Sequence, residues 1–191
     1  MGLLGETKPV KKPILGVSLY PEQESMEEIE NYLTMASRYG FTKIFTSMFS
    51  VPGTKEEVFD YFKNFCDLAH KHGMKVSGDC NTAFFKKMGA SESDISIFKE
   101  MGIDIIRMDL PYFDQRDVTL INNPYNITIE LSSCMIQAVR MALENGANPK
   151  NFSTCHNFYP ERYTASDLES ICSVNKELAT LGIPSAVFIS S

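Results

Sequence analysis

The stretch HGMKVSG at residues 72–78 decides the fold: a glycine closes the segment before it, and a short apolar segment follows at once. The same arrangement recurs along the chain as YGFTKIF at 39–45, MGIDIIRM at 101–108, NGANPKNFSTC at 145–155 and LGIPSAVF at 181–188. A glycine just past a helix end accommodates the left-handed turn that leads the chain back to a sheet. These returns predict helices that alternate with parallel strands.

Hydrophobic periodicity and helix-capping patterns place the individual elements. The predicted strands are residues 14–20, 43–49, 75–81, 104–110, 126–132, 152–158 and 185–190. The predicted helices are residues 25–39, 54–72, 91–101, 134–145 and 164–181. Two of these helices begin with a capping box, in which Ser25 precedes Glu28 and Thr54 precedes Glu57 by three positions.

Strands in this spacing predict an α/β fold of the TIM-type (β/α) barrel class. A doubly wound sheet that binds a dinucleotide is disfavoured, because GVSLYPEQES after the first strand contains no G-x-G-x-x-G. We expect residues 1–191 to form one barrel-like domain that holds seven of the eight strands. A missing strand predicts an incomplete barrel, or one completed by another chain, with homo-oligomers forming through the open edges. An open seven-stranded sheet is the alternative.

Composition narrows the classes of partner and compartment. The net charge of −6 and the pI near 5.1 argue against a nucleic-acid surface, which needs clustered Lys and Arg. No apolar run is long enough for a membrane span or a signal peptide, which predicts a cytoplasmic protein. The five cysteines are spread without a C-x-x-C pair, so we expect reduced thiols rather than a disulfide framework or a zinc site. We also expect no bound metal and no cofactor.

Polar side chains collect at the carboxyl ends of the predicted strands, where the catalytic groups of parallel α/β proteins gather. Alternation along each strand predicts which of them face the barrel interior. The interior set consists of Tyr20, Glu22, Asp79, Asn81, Arg107, Asp109, Glu130 and His156. Asn157, Tyr159 and Arg162 are expected in the loop that follows strand six, within NFSTCHNFYPERY at 151–163.

Several carboxylates at one rim suit two kinds of chemistry. Glycoside hydrolysis needs one acid to protonate the leaving oxygen and one carboxylate to act as nucleophile or base. A divalent-metal site also needs carboxylates, usually converging closely with histidine. Any one of the carboxylates could instead serve in a structural ion pair, for example Asp109 with Arg107. A lone histidine such as His156 is as often a hydrogen-bonded structural residue as a functional one.

Five features make the chain similar to the MupG-type 6-phospho-N-acetylmuramidase family: GVSLYPE at 16–22, KIFTSMF at 43–49, Asp79 followed by FFKKMGAS at 84–91, IDIIRMDLPYF at 103–113 and CHNFYPERYT at 155–164. The resemblance implies a TIM-type barrel followed by a smaller cyclophilin-like domain, of which only the barrel is expected within residues 1–191. It also implies cytoplasmic hydrolysis of the β-1,4 bond in 6-phospho-N-acetylmuramyl-N-acetylglucosamine. Hydrolysis of this phosphorylated amino-sugar disaccharide is a step of bacterial cell-wall recycling.

The chain departs from the family pattern at the rim. Glu161–Arg162 replaces an Arg-Pro pair, Ala165–Ser166 replaces Gly-Leu, and residues 79–82 read DCNT where the family has Asp-Ile-x-Pro. In many TIM barrels the loops after strands seven and eight bind phosphate. Because strand eight is not expected in this chain, we expect the 191 residues alone to be poorly active or inactive.

Roles can be assigned within this resemblance. Asp79 and Asp109, on adjacent strands about 5 Å apart, are expected to form the acid and the nucleophile or base, which favours a retaining outcome. Glu130 is the alternative for either role. Substrate binding is expected from Tyr20, Glu22, Asn81, Arg107, His156, Asn157, Tyr159 and Arg162, with ring stacking on Tyr20 and Phe158.

Two other functions stay open. A lyase or isomerase that acts on a phosphosugar would use a metal or a lysine, yet Lys43 and Lys75 begin their predicted strands at the end opposite the mouth. An inactive barrel fragment that serves as a binding or assembly module is the second, and it would form a stable dimer or heteromer.

Overall fold

The computed structural model describes residues 14–109, 114–131, 136–158 and 161–189 of the chain. Its strands are β1 (Leu15–Ser18), β2 (Phe41–Ser47), β3 (Lys75–Asp79), β4 (Ile105–Met108), β5 (Thr128–Leu131), β6 (Phe152–Phe158) and β7 (Ser185–Ile189). Its helices are α1 (Met26–Arg38), α2 (Lys55–Lys71), α3 (Thr82–Lys87), α4 (Ser96–Met101), α5 (Gln115–Ile121), α6 (Ile136–Glu144) and α7 (Ala165–Thr180). Short 3-10 turns follow β1 at Pro21–Gln23 and β2 at Met48–Ser50.

The strands form one parallel sheet in the order β1 to β7, which confirms the predicted TIM-type arrangement of alternating strands and helices. The sheet is curved, because Lys43 of β2 and Glu130 of β5 are in contact across its inner face. In a flat sheet, three strand spacings of about 4.8 Å would separate their backbones by about 14 Å. Among the described residues β1 pairs only with β2, and β7 only with β6. Association through these two edges stays a prediction.

The outer face of the sheet and the helices enclose the hydrophobic core. Along the strands, the apolar side chains of the outer face alternate with the side chains of the inner face. These apolar side chains are fully buried. The sheet contributes Ile44, Val76, Ile106, Ile129 and Phe152 to this core, and α2 contributes Phe62 and Phe65. Burial of each such side chain stabilises the fold by about 1.5–3 kcal/mol. The apolar residues therefore determine which side of each strand faces the helices, and the residues between them line the inner face.

Hydroxyl side chains begin three of the helices. In each, the hydroxyl accepts the N–H of the residue three positions on, and the carboxylate of that residue accepts the N–H of the cap. The pairs are Ser25 with Glu28, Thr54 with Glu57 and Thr164 with Asp167. The first two confirm the predicted capping boxes. The predicted stop of α1 is also present, since Gly40 adopts the left-handed region with φ at +83°.

The structure also contains two helices that the sequence pattern does not predict. The side-chain oxygen of Asn81 accepts the N–H of Phe84 at the start of α3. The carboxylate of Asp114 accepts the N–H of Arg116 at the start of α5. Each helix is too short to show a helical period in the sequence. In the predicted helix over 91–101, only the part from Ser96 is helical.

A glycine in β3 lets a neighbouring turn approach closely. A Cβ atom placed on Gly78 would lie 2.8 Å from Cγ of Met48. Met48 is fully buried in the 3-10 turn after β2. The lack of a side chain at position 78 therefore allows this turn to pack against the strand that carries Asp79.

Candidate active site

A row of alternating charges crosses the inner face of the sheet at the carboxyl ends of β3, β4 and β5. The parallel register pairs Asp79 with Arg107, and Arg107 with Glu130. Partners in register point to the same face, so Arg107 is flanked in the sheet by an acidic residue on each neighbouring strand. The predicted alternation is confirmed in β4 and β5, because Ile106 and Ile129 are fully buried on the opposite face.

Glu130 is bound to β2 and β3. Its Oε2 accepts a hydrogen bond from Nζ of Lys43 at 2.5 Å, and its Oε1 accepts one from the hydroxyl of Ser77 at 3.3 Å. Only 3% of the Glu130 side chain is exposed. An unpaired carboxylate at such a buried position would be strongly unfavourable. Both oxygens are engaged by the protein, an arrangement that suits a positioning role better than direct attack on a substrate.

Arg107 is also in contact with β2. Its Cζ lies 5.1 Å from the ring centroid of Phe45, within the range of a cation–π interaction. The residue is only 4% exposed. Arg107 therefore places a positive charge beneath the mouth of the curved sheet.

Asp79 is a partly buried carboxyl in this row. Burial raises its pKa, the positive charge of Arg107 lowers it, and the negative charges of Asp109 and Glu130 raise it further, with a net rise above the ordinary value. A carboxyl that keeps its proton to higher pH is suited to act as a general acid. The environment of Asp79 therefore suits proton donation.

Asp109 follows β4 directly and is exposed. Because Asp79 is in register with Arg107, Asp109 lies two residues further along the neighbouring strand. Strand geometry then separates the two Cα atoms by about 8 Å, rather than the 5 Å expected for direct neighbours. The spacing argument that favoured a retaining outcome therefore does not apply to this pair, although the two carboxyls remain within electrostatic reach of each other.

In β6 the sequence prediction is wrong about which face meets the interior. The register pairs Glu130 with Ser153, so Ser153 lies on the inner face, whereas Thr154 and His156 lie on the outer face. His156 lies against Asn175 of α7. Burial lowers the pKa of its imidazole, and the contact with Asn175 opposes that shift. His156 thus belongs to the packing between β6 and α7 rather than to the charged row.

The end of β1 borders an open hollow of about 380 Å³. Tyr20 lies on its wall together with Tyr32 of α1, and 41% of Tyr20 is exposed. Glu22 lies in the 3-10 turn that follows β1, and its charge acts on Tyr61 of α2. Burial raises the pKa of Tyr61 to about 12, and the charge of Glu22 adds to that rise. The structure therefore places Tyr20 beside an open space and Glu22 outside the charged row.

The structure does not show the remaining residues predicted to bind substrate gathered in one place. Asn81 caps α3, because its Oδ1 accepts the N–H of Phe84 at 2.8 Å. Arg162 is exposed ahead of α7. The side chains of Asn157 and Phe158, and all of Tyr159, lie outside the described residues.

Two residues of this site are absent from the sequence prediction, Lys43 and Phe45. Alternation in β2 places both on the inner face once Ile44 is assigned to the core, so that part of the signal is present in the sequence. The contact between Lys43 and Glu130 is not, since 87 positions separate them. Only the curvature of the sheet brings β2 and β5 together.

Residues 14–109, 114–131, 136–158 and 161–189 show neither a metal-binding cluster nor a membrane-spanning helix. In these ranges no three side chains of His, Cys, Asp or Glu converge as a metal site. None of the helices found there has both the length and the apolar character needed to cross a bilayer.

The family described as "6-phospho-N-acetylmuramidase, N-terminal" matches residues 15–191 of the chain. No curated protein matches the chain.

Solved structures provide a further comparison. An uncharacterized B. cereus protein is 30% identical, with a TM-score of 0.74, over 92% of this chain and 47% of its own. A conserved protein from a locus in Enterococcus faecalis with an unknown function is 20% identical, with a TM-score of 0.71, over 91% of this chain and 47% of its own. The chain thus spans about half the length of these two relatives. Triosephosphate isomerase from Bartonella henselae is similar in fold alone, at 10% identity and a TM-score of 0.54 over 93% of this chain and 92% of its own.

Proposed function

This chain belongs to the family of 6-phospho-N-acetylmuramidase N-terminal domains, and from that membership we propose that it forms the catalytic part of a glycosidase. The substrate is 6-phospho-N-acetylmuramyl-N-acetylglucosamine, and the bond hydrolysed is its β-1,4 bond. The reaction belongs to cytoplasmic recycling of cell-wall sugars. The observation that best supports this proposal is the partly buried carboxyl of Asp79, which lies beside Arg107 and within electrostatic reach of Asp109.

Asp79 acts as the general acid. Burial, followed by the charges of Asp109 and Glu130, raises its pKa against the effect of Arg107, so it holds a proton at a pH at which an exposed aspartate is ionised. When the glycosidic C1–O4 bond breaks, its electron pair goes to the oxygen of N-acetylglucosamine, which takes the Asp79 proton. The leaving group therefore departs as a neutral alcohol.

Asp109 supplies the second carboxylate. It is exposed at the rim, where water or the sugar ring reaches it. As a base it takes a proton from the water that attacks the anomeric carbon; as a nucleophile it bonds to that carbon and is displaced by water. Both routes add one water molecule, release the two monosaccharides and return the carboxyls to their starting protonation states through solvent.

Tyr20 and Arg162 are proposed to contact the substrate. Tyr20 presents its ring at the open hollow beside β1, where a sugar can stack on it. Arg162 carries a positive charge at the exposed segment after β6, which favours an anionic group of the substrate. Asn157 and Tyr159, in β6 and after it, stay in the proposal on the sequence alone.

The test measures release of N-acetylglucosamine from the disaccharide by this chain extended with the C-terminal half of the B. cereus relative. Asp79→Asn and Asp109→Asn are each expected to lower kcat by about 10²-fold or more. The matched control is Asp67→Asn, on the exposed face of α2 beside Lys63, which should leave turnover unchanged. Turnover within a few-fold of the parent in either site variant rejects the residue assignment. No release by the parent rejects the substrate.

A further inference from the structure

The Lys43–Glu130 ion pair lies at the inner end of the charged row, and the proposed reaction gives it no role. Nζ of Lys43 meets Oε2 of Glu130 at 2.5 Å, Glu130 is in register with Arg107, and Arg107 is in register with Asp79. Positive and negative charges therefore alternate from Lys43 through Glu130 and Arg107 to Asp79. Asp109 adds a negative charge at the rim, next to the outer end of this row.

The two members of the pair are poorly placed to react with a substrate. The side chain of Glu130 is 3% exposed and that of Lys43 is 20% exposed, and each satisfies the charge of the other. Without Lys43, the buried carboxylate of Glu130 would lose its ammonium partner, and the residue in register with it on β4 is Arg107. A carboxylate that an ammonium group already neutralises attracts the guanidinium less strongly than a bare one does.

We infer that Lys43 and Glu130 are positioning residues for the proposed hydrolysis, because their ion pair neutralises the inner end of the row and leaves Arg107 to act on Asp79. The catalytic meaning of this inference rests on the proposed function, whereas the charge coupling requires no substrate. A pair with only a structural role would hold β2 to β5 without influencing the protonation of Asp79.

The coupling is measured by an NMR titration of the Asp79 carboxyl in the chain labelled with ¹³C-aspartate, with Asp79→Asn used for assignment. In Glu130→Gln a negative charge is lost and the Lys43 ammonium is left without its partner. The titration midpoint of Asp79 should therefore fall by about one pH unit, given two strand spacings of about 10 Å in total and an effective dielectric constant of about 20. In the double variant Lys43→Met/Glu130→Gln both charges are lost, and the midpoint should move less than half as far.

Two controls accompany these variants. Lys63→Met removes an exposed ammonium from α2 and should leave the Asp79 midpoint in place. Lys75, on the same face of β3 but about 13 Å from Asp79 along the strand, is kept in every variant. If Glu130→Gln does not give the native amide spectrum, Lys43→Met supplies the single-charge variant instead; it removes only the ammonium, so the Asp79 midpoint should rise, and an unchanged midpoint overturns the inference. A shift of a full pH unit or more in the double variant contradicts a charge-balanced pair.

An unchanged midpoint in folded Glu130→Gln overturns the inference and leaves the pair with a structural role only. Turnover of the disaccharide by the extended chain separates this outcome from failure of the proposed function. Hydrolysis with an unchanged midpoint keeps the function and removes the positioning role. A shifted midpoint without hydrolysis by the parent removes the function and the catalytic role together. If the proposed hydrolysis and the positioning role are both correct, the alkaline limb of the kcat–pH profile moves to lower pH in Glu130→Gln by the same amount as the Asp79 midpoint.

Discussion

Gly78 offers a direct test of how the turn after β2 supports the strand that carries Asp79. In Gly78→Ala the new methyl group would overlap Sδ of Met48 and lie 2.8 Å from its Cγ, well inside van der Waals contact. Met48 is fully buried, so its side chain cannot move aside into solvent. Overpacking of this kind costs about 1–3 kcal/mol. In a chain of this length each kcal/mol lowers Tm by about 2–4 °C, so we expect a loss of about 2–12 °C.

Thermal and urea unfolding of three further variants separate the steric cause from others. Gly40→Ala also adds a methyl group to a glycine, but with no atom within 4 Å, so it reports only the cost of φ at +83°, about 1 kcal/mol. Met48→Ala alone leaves a cavity and should cost about 2–5 kcal/mol. The double variant Gly78→Ala/Met48→Ala should cost at least about 1 kcal/mol less than the sum of its parts, because the truncated side chain makes room for the methyl group. Strict additivity, or a Gly78→Ala variant as stable as the parent, would refute the reasoning.

Two more predictions concern stability. Asp79→Asn should raise Tm by about 1–3 °C near pH 7, because burial raises the carboxyl pKa in the folded state and stability is lost as pH rises from the unfolded value of about 3.9 through the folded one. The gain should vanish at pH 3, where both states are protonated, and an equal gain at both pH values would contradict the assignment. Thr54→Ala removes the cap of α2 and should cost about 1 kcal/mol in urea unfolding. Thr34→Ala, whose hydroxyl bonds only within α1, is its control, and equal losses in the two would exclude a capping effect.

The order of the fold is readable from local chemistry. The capping boxes at Ser25 and Thr54, and the glycines that close the helices, each act within a few residues, so the sequence states them directly. The sequence does not predict helices α3 and α5, because little local signal marks them. Each depends on one side-chain cap, at Asn81 or Asp114, and is too short for a period to appear.

The site was predictable only where one face of a strand is plainly apolar. In β5 the buried Ile129 assigns Glu130 to the inner face without ambiguity. In β6 polar and apolar residues occur on both faces, so alternation alone could not decide where His156 points, and its packing against α7 settles the matter. The Lys43–Glu130 contact depends on curvature, a property of the whole sheet that no local pattern records.

The capping carboxylates of α1, α2 and α7 determine how the rim appears to an anion in solution. Helices that follow the strands of such a barrel begin on the mouth side, where their partly positive ends ordinarily attract phosphate. At these three starts Glu28, Glu57 and Asp167 already occupy that position with negative charge of their own. These carboxylates offset the partly positive helix ends, so the three helix starts are poorer sites for an anionic ligand than uncapped helix starts would be.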